Sequence, residues 1–441
     1  MDDRNWWRGL DLTLSCLNAV TFLSRITQKL GKALPPSLKL SLKALLARLT
    51  GQTQRVKSNP QVLSRPAPDP ITLDAAGIRT TGLRILVCDD HVPAPDRDAG
   101  SARMFLILKS LLKLGQPLFI SMSGLYQPDY EDLLRKEGVE TAFWADYKQL
   151  LRERSFDIAI LSRPDVAEAL LRAIKKTSRG TRIIFDTVDI SFIRLGREYK
   201  LTGDKNISAE AERYQKLEGK LARECDQVWC VTTEDQAALT PLAPSARFEI
   251  IPTIHPLQKR GKDFAERHGA VFIGNYLHRP NRDAVHYFVK DILPLVQAAH
   301  PGFKLFIVGD HAPPEIRAYA SEKVIVTGYL SEVDEIFHNC RVFVAPLRFG
   351  SGMKGKIGQS LSYGVPVVTT SIGAEGMGLE NGCQAIIADN AEEFADAVIN
   401  LHQDAMLWQR LSDNGFEHMR KNFTPEGVEE KIHRAILNLV K

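Results

Sequence analysis

The stretch from Val342 to Met377 reads VFVAPLRFGSGMKGKIGQSLSYGVPVVTTSIGAEGM and decides the fold of this chain. It opens with the apolar run Val342–Ala345 and passes through a glycine-rich loop and a short helical pattern to a second apolar run, Val365–Val368. Two short apolar runs joined in this way predict a β–loop–α–β unit, from which parallel sheets are built. The stretch therefore predicts an α/β protein.

The loop of this unit has the composition of a phosphate-binding loop. Gly350, Gly352 and Gly355 allow backbone N–H groups to approach a ligand closely, and Lys354 and Lys356 stand where the helix begins. Unpaired N–H groups at a helix N-terminus, with ammonium groups beside them, suit a diphosphate. The alternative is an ordinary flexible loop with solvated lysines, and these residues alone leave both interpretations open.

The same alternation of short apolar runs and helical patterns extends through most of the chain. Further strands are expected at Leu83–Asp89, Pro117–Ser121, Asp157–Leu161, Arg182–Phe185, Gln227–Val231, Ala270–Gly274, Phe303–Val308 and Val324–Val326. Helical patterns between them, such as Val166–Lys176 and Ala209–Glu224, favour parallel, doubly wound sheets. Thr253–His268, with its Pro, Lys and Gly content, is predicted to link two such domains.

Two aspartates follow one of these strands in the segment FDTVDISFIRLGRE. Asp186 and Asp189 would lie at the carboxyl edge of a parallel sheet, where such folds bind ligands. They could bind a hydroxyl group of a ligand or polarise it for attack. The alternative is a helix cap and a salt bridge, which are common structural uses of aspartate.

The motifs APLR, GxKGK and AEGM resemble those of the retaining GT-B enzymes of glycosyltransferase family 4, and of one bacterial subgroup in particular. The resemblance covers residues 83–425. It implies two Rossmann-like domains that face each other across a cleft. It also implies transfer of a sugar from a nucleotide-diphosphate sugar to an acceptor hydroxyl of a carbohydrate or glycolipid, with retention, in cell-surface polysaccharide or glycolipid synthesis. No metal or other cofactor is expected, because lysines and N–H groups can stabilise the leaving diphosphate.

The resemblance also implies site residues. Catalytic roles are expected for Asp186, Asp189 and Lys356. Donor contacts are expected from Gly100, Ser101, Gly274, Arg279, Tyr329, Leu330, Gly350, Ser351, Gly352, Met353, Lys354, Lys356, Gln359 and Glu375.

Gln359 departs from the family pattern. Most members carry there a glutamate that binds the ribose, and an amide accepts one hydrogen bond and donates one instead of accepting both. A GT-B epimerase or phosphorylase would share the fold and the phosphate contacts. Because of Gln359, a non-catalytic nucleotide-binding scaffold of a polysaccharide assembly is a further alternative.

Charge and cysteine content restrict the partners. Residues 1–60 contain ten Lys or Arg and three Asp, a charge of +7, so residues 61–441 sum to −3 against the total of +4. A body with this charge is not expected to bind nucleic acid. The six cysteines form no CxxC pair, which favours a reducing compartment and argues against a zinc site.

The expected organisation has four parts. Residues 1–80 form a basic amphipathic helical extension and linker, 81–252 an acceptor domain, 253–424 a nucleotide-sugar domain, and 425–441 a helix that crosses back to the first domain. The extension contains Trp6 and Trp7 but no apolar run of membrane-spanning length. It is predicted to contact an anionic membrane surface through residues 1–50, or else to form a collar on the body. The protein is expected in the cytoplasm, with peripheral attachment to the inner face of the membrane.

Overall fold

The computed structural model describes residues 82–123 and 127–440. The predicted extension of residues 1–80, with its proposed membrane-contacting segment, lies outside the described residues. Within the described ranges the chain forms two parallel sheets of seven and six strands, each flanked by helices. No helix in these ranges combines the length and apolar character needed to span a bilayer.

The first sheet has the spatial order β3-β2-β1-β4-β5-β6-β7, and all of its neighbouring strands are parallel. Its strands are β1 (Leu83–Asp89), β2 (Gly115–Ser121), β3 (Glu140–Phe143), β4 (Ile158–Ser162), β5 (Arg182–Asp186), β6 (Gln227–Cys230) and β7 (Phe248–Ile250). Helices α1 (Ala99–Leu111), α2 (Pro128–Glu137), α3 (Tyr147–Glu153), α4 (Pro164–Thr177), α5 (Ser191–Thr202), α6 (Lys205–Glu224) and α7 (Thr233–Leu239) connect them. Helices on both faces bury the central strands completely, which is why these strands are continuous apolar runs.

The second sheet has the order β10-β9-β8-β11-β12-β13 and is also parallel. Its strands are β8 (His268–Ile273), β9 (Leu305–Val308), β10 (Val324–Gly328), β11 (Cys340–Ala345), β12 (Val367–Thr369) and β13 (Ile386–Ile387). Its helices are α8 (Arg279–Tyr287), α9 (Leu293–Ala299), α10 (Pro314–Arg317), α11 (Asp334–Asn339), α12 (Gly355–Ser362), α13 (Ser371–Ala374), α14 (Ala391–Gln403) and α15 (Ala405–Asn422). A π-helical turn, Phe288–Ile292, joins α8 to α9.

The last helix, α16 (Pro425–Val440), belongs by its packing to the first domain. Val428 and Ile432 are fully buried in the same apolar cluster as Leu83 and Ile85 of β1. Lys113, at the end of the α1 region, also forms a 2.7 Å ion pair with the carboxylate of Glu429. The chain thus returns from the second domain to the first at its carboxyl end.

The structure confirms the predicted α/β class, with two doubly wound domains. Three edge strands, β3, β7 and β13, were not predicted, because each is short and only partly buried. Asn281 lies in the first turn of α8 and does not cap the helix. The helix begins two residues earlier, with Pro280 in its first turn, and the Asn281 amide donates to the carbonyl of Asn275 at 2.7 Å.

Candidate active site

The glycine-rich loop between β11 and α12 lies at the carboxyl edge of the second sheet. Gly352 has φ +64°, and a Cβ there would lie 3.2 Å from the Asp189 Cβ of the first domain, so glycine is required at this approach. Helix α12 begins at Gly355 with no side chain capping its first turn. Its unpaired N–H groups are therefore available to an anion.

The first turns of α1 and α12 meet where the two domains face each other. A Cβ on Gly355 of α12 would lie 2.2 Å from the Cβ of Ala99 in α1. Gly100 follows at the start of α1, where a Cβ would lie 3.3 Å from Nη2 of Arg163. Two helix N-termini, one from each domain, therefore lie side by side, and each contributes a positive end of its dipole.

The two predicted lysines have different surroundings. Lys354 is buried, donates to the Gly352 carbonyl at 2.6 Å, and has its Nζ 3.6 Å from a carboxylate oxygen of Glu375. Lys356 donates to the amide oxygen of Asn281, and its Nζ lies 4.5 Å from the centre of the Phe272 ring. Burial, and then the charge of Lys354, lower the pKa of Lys356 to about 7.

Gln359 lies one helical turn after Lys356, so both side chains are on the same face of α12. Gly274 ends β8 close to the same point: a Cβ there would lie 2.7 Å from the amide nitrogen of Asn281. Met353 lies next to Lys354, and its sulfur accepts from the Thr253 N–H at 3.4 Å. The Met353 side chain therefore contacts the segment that links the two domains.

Contacts between the domains line the rest of this edge, and we call them the interdomain seam: Asp189–Ser351, Arg197–Glu375, Arg197–Gly350, Glu198–Arg279, Asp96–Tyr329 and Arg97–Asp310. Arg197 is central, because it donates to both oxygens of Glu375, at 2.7 and 2.8 Å, and to the Gly350 carbonyl at 2.7 Å. Burial of Glu375 opposes ionisation, but Arg197 and Lys354 lower its pKa below the usual value. The carboxylate is thus held in its charged form.

Asp189 joins the seam from the first domain. Its carboxylate accepts from Nε of Arg194 at 2.9 Å and from the Ser351 hydroxyl at 3.1 Å. Burial raises its pKa, but the charge of Arg194 outweighs this and leaves the pKa below normal. His278 lies close enough to feel these charges, and burial together with Arg194 lowers its pKa to about 4, so it is neutral.

The rim of the cleft is closed by the loop after β1. The Tyr329 hydroxyl donates to Asp96, while the Arg97 guanidinium lies 3.6 Å from the centre of the Tyr329 ring. Arg97 also donates to Asp310 at 2.7 Å. Leu330, the next residue after Tyr329, packs partly buried against the apolar cluster beneath.

Ser101 is fully buried at the start of α1. Its N–H and hydroxyl both donate to the carboxylate of Asp98, at 2.9 and 2.8 Å, and its hydroxyl lies 3.2 Å from Nε2 of His91. Hydrogen bonds to Asp90 and Asp98 raise the pKa of His91 to about 9. Ser101 therefore stabilises the loop, and its hydroxyl is already bonded.

Two sequence comparisons give matches to this chain. Residues 267–404, within the second domain, match the family model described as glycosyl transferases group 1. A Klebsiella pneumoniae protein described as an uncharacterized 44.6 kDa protein in cps region is 26% identical over 193 residues, which is 42% of this chain and 50% of that protein. The match spans half the length of that curated relative.

Solved structures align over both domains. HepE of Anabaena in complex with UDP gives a TM-score of 0.64 at 13% identity, over 80% of this chain and 99% of that chain. An S. aureus TarM variant in complex with Fondaparinux, alpha-GlcNAc-glycerol and UDP gives 0.62 at 11%, over 81% and 100%. Pneumococcal GtfA in complex with UDP and GlcNAc gives 0.60 at 9%, over 81% and 99%.

The chain has the GT-B fold. The family match and the GT-B neighbours together support the prediction of a glycosyltransferase.

One predicted catalytic residue, Asp186, lies inside the first domain of this GT-B chain and not at the interdomain seam. Asp186 is fully buried and accepts two hydrogen bonds from Arg103, each of 2.9 Å, and a third from Ser162 at 2.9 Å. Arg103 also donates to the carbonyls of Ile251 and Pro252, where the chain leaves the first domain. Asp186 was predicted to bind the acceptor. Both oxygens of its carboxylate are instead hydrogen-bonded to residues inside the first domain.

Sequence reasoning missed several polar residues of the GT-B cleft. Arg163 donates to Asp89 at 2.7 Å at the carboxyl edge of β4, and Arg197 holds the seam. Asp235 is buried beside it, and His278 lies near Asp189 and Arg194. Arg163 and Asp235 could have been proposed from the sequence, because each stands shortly after the end of a strand. His278 and Arg197 could not, because their roles depend on contacts between the two domains.

Proposed function

We propose that this protein transfers a sugar from a nucleotide-diphosphate sugar to a hydroxyl of a carbohydrate or glycolipid acceptor, with retention and without a metal ion, as in glycosyltransferase family 4. The observation that carries the proposal is the meeting of the α1 and α12 N-termini beside Lys354 and Lys356. Two helix dipoles and two ammonium groups at one place are suited to a diphosphate. The neighbouring Asp189 and Arg194 give the first domain polar groups for the acceptor.

In this reaction the bond from the anomeric carbon to the diphosphate breaks while a bond to the acceptor oxygen forms. The lysines and N–H groups stabilise the negative charge that grows on the diphosphate, and Lys354 acts strongly because it is buried. The acceptor proton passes to an oxygen of the departing diphosphate, so no side-chain nucleophile is required. The glycosyl centre passes through an oxocarbenium-like state.

Two comparisons support the biological side of the proposal. HepE, TarM and GtfA were solved with UDP, and the TarM and GtfA complexes also contain sugar ligands. The Klebsiella relative is described as lying in the cps region, which supports a role in polysaccharide synthesis. We place the protein in the cytoplasm, with residues 1–50 contacting the inner face of the membrane.

A thermal-shift screen across nucleoside diphosphates and their sugar conjugates tests the donor site. A ligand at a hundred times its Kd stabilises the folded state by about 2.7 kcal/mol, which gives a clear rise in melting temperature. Lys356→Ala should reduce that rise, while Lys290→Ala, an exposed lysine of the same domain, should not. Absence of any shift across the panel would refute the donor site.

A turnover assay with the best ligand separates the remaining functions. Sugar transfer to an added acceptor, or slow hydrolysis of the donor, supports the glycosyltransferase. Formation of an isomeric nucleotide sugar without acceptor would indicate an epimerase, and a need for inorganic phosphate would indicate a phosphorylase. Binding without any consumption of the donor would favour the alternative raised by Gln359, a non-catalytic nucleotide-binding scaffold.

A further inference from the structure

Asp235 is a buried carboxylate that the fold does not use. It lies in the first turn of α7, directly after β6, and is 4% exposed. Its N–H donates to the Thr232 hydroxyl at 2.9 Å, but its Oδ2 has no hydrogen-bond partner within the described residues. A buried polar atom without a partner costs about 1–3 kcal/mol, and more when it is charged. Such a cost is expected where a ligand completes the site.

The spacing from Thr232 to Asp235 is that of a capping box, in which the acid bonds back to the N–H of the cap residue. Only half of that motif is formed here. The Thr232 hydroxyl accepts from Asp235, whereas the carboxylate Oδ2 of Asp235 makes no hydrogen bond. Helix capping therefore explains Thr232 but does not explain why the third helical residue is an acid.

Asp235 lies against the interdomain seam. A Cβ on Gly376 of the second domain would lie 2.1 Å from Cγ2 of Thr232, so the start of α7 touches the AEGM turn. Burial, and then the charge of Asp189, raise the pKa of Asp235 to about 7, with the Thr232 side chain and Lys354 acting in the opposite direction and Glu375 in the same one. The carboxyl group is thus surrounded by the groups that line the cleft.

The other carboxylates at this place are already bonded. Asp189 accepts from Arg194 and Ser351, and both oxygens of Glu375 accept from Arg197. In the described part of this seam, Oε2 of Glu198 and Oδ2 of Asp235 are the buried acidic oxygens without a hydrogen bond. Oε2 of Glu198 lies 3.0 Å from Nη2 of Arg279, which leaves Oδ2 of Asp235 as the one without an ion-pair partner.

We propose that Asp235 accepts a hydrogen bond from a hydroxyl group of the sugar carried by the nucleotide donor, and so selects sugars with a hydroxyl at that position. The proposal rests on the proposed function, because a diphosphate at Lys354 and Lys356 places the attached sugar beside them. On the first-domain side, Asp235 and Asp189 are the acids that act on Lys354. A site built to bond a hydroxyl rejects a sugar that lacks it, because the carboxyl oxygen is then left unpaired.

Calorimetry on the full chain tests this with UDP, GDP, ADP and dTDP, and with UDP-glucose, GDP-mannose, ADP-glucose and dTDP-glucose. Each is titrated into the parent, Asp235→Ala, Asp235→Asn and the control Glu234→Ala, whose side chain is exposed on the same helical turn. The expected result is a loss of about tenfold for the sugar conjugate in Asp235→Ala, the size of one hydrogen bond to a charged group. Asp235→Asn, which keeps one acceptor oxygen, loses less, and the diphosphate itself binds all four proteins equally.

The melting temperature separates a binding role from a structural one. Removing an unpaired buried carboxyl should leave the melting temperature of Asp235→Ala unchanged or raise it. A lower melting temperature with unchanged sugar-conjugate affinity would assign Asp235 to the helix cap and overturn the inference. An equal loss for diphosphate and conjugate would also overturn it. If no diphosphate binds the parent, the proposed function fails and the inference with it, an outcome distinct from the other two.

Discussion

Substitution of Lys356 is the sharpest test of the proposed donor site. Its ammonium group donates to Asn281 and lies 4.5 Å from the centre of the Phe272 ring, at the start of α12. Lys356→Ala should weaken nucleoside-diphosphate binding by about 1.5–3 kcal/mol, or about 10- to 150-fold, because a charge-assisted hydrogen bond is lost. Lys356→Met keeps an unbranched apolar stem against Phe272 and should show the same loss.

The lowered pKa of Lys356 makes this binding depend on pH. With a pKa of about 7 the side chain is about half protonated at pH 7 in the ligand-free protein. A bound diphosphate favours the ammonium form and raises the pKa, so binding at pH 7 takes up about half a proton. Affinity should be greatest at and below about pH 7, and should fall by at most about tenfold per pH unit as the pH rises toward the pKa of the complex.

Calorimetry between pH 7 and pH 9, in buffers of different ionisation enthalpy, measures both the affinity and the proton uptake. The ligand does not supply this dependence, because a phosphate with a second pKa of about 6 is already ionised in that range. Lys356→Met should bind weakly at every pH with a much smaller slope. Unchanged affinity in a folded Lys356→Ala variant, or an undiminished slope in Lys356→Met, would refute this account of the site.

The remaining predictions concern four other changes. Gln359→Glu should keep or tighten nucleotide-sugar binding, because a carboxylate accepts from both ribose hydroxyls; calorimetric loss of all binding would show that the amide donor is needed. Asp189→Asn should preserve diphosphate binding and depress transfer, and equal transfer rates would reduce Asp189 to a structural role. Asp186→Ala should lower the free energy of unfolding by about 3–5 kcal/mol, since Arg103 is left buried without its partner; denaturant melts that overlay those of the parent would contradict this. Removing residues 1–60 should abolish a salt-sensitive binding to anionic liposomes and spare diphosphate binding, with co-sedimentation of both forms as the test.

Most of the architecture could be predicted from the chain because its strands are buried on both faces. The run Leu83–Asp89 was predicted with the same bounds that β1 has, since six of its seven residues are buried and most of them are apolar. The short edge strand β3 was missed because its residues are only partly buried. The Gly350–Lys356 loop could also be predicted, since a glycine-rich loop before a helix is a local sequence pattern. The contact between this loop and Ala99 could not be predicted, because it joins residues that are far apart in the chain.

The roles of individual acids were much harder to predict. Asp186 is the last residue of β5 and Asp189 follows three residues later, yet Asp186 lies inside the domain and Asp189 reaches the seam. Arg103, on a different helix, causes the difference because its guanidinium takes both oxygens of Asp186. No local pattern around the two aspartates contains that information, and only the tertiary structure separates them.

Backbone strain is found at the carboxyl edges of both sheets. The described residues include three non-glycine residues with positive φ: Arg163 at +74°, Val188 at +62° and His311 at +58°. Each follows a strand at the carboxyl edge of a sheet, after β4, β5 and β9 respectively. A β-branched residue such as Val188 is disfavoured there, at a cost of about 1–3 kcal/mol. The strained turn carries Asp189 to Ser351 and brings the Val188 carbonyl within 3.3 Å of where a Cβ of Gly352 would stand. Strain of this kind persists when the surrounding structure fixes it. Here the strained turn holds Asp189 against the glycine-rich loop, the contact between the domains on which the proposed transfer depends.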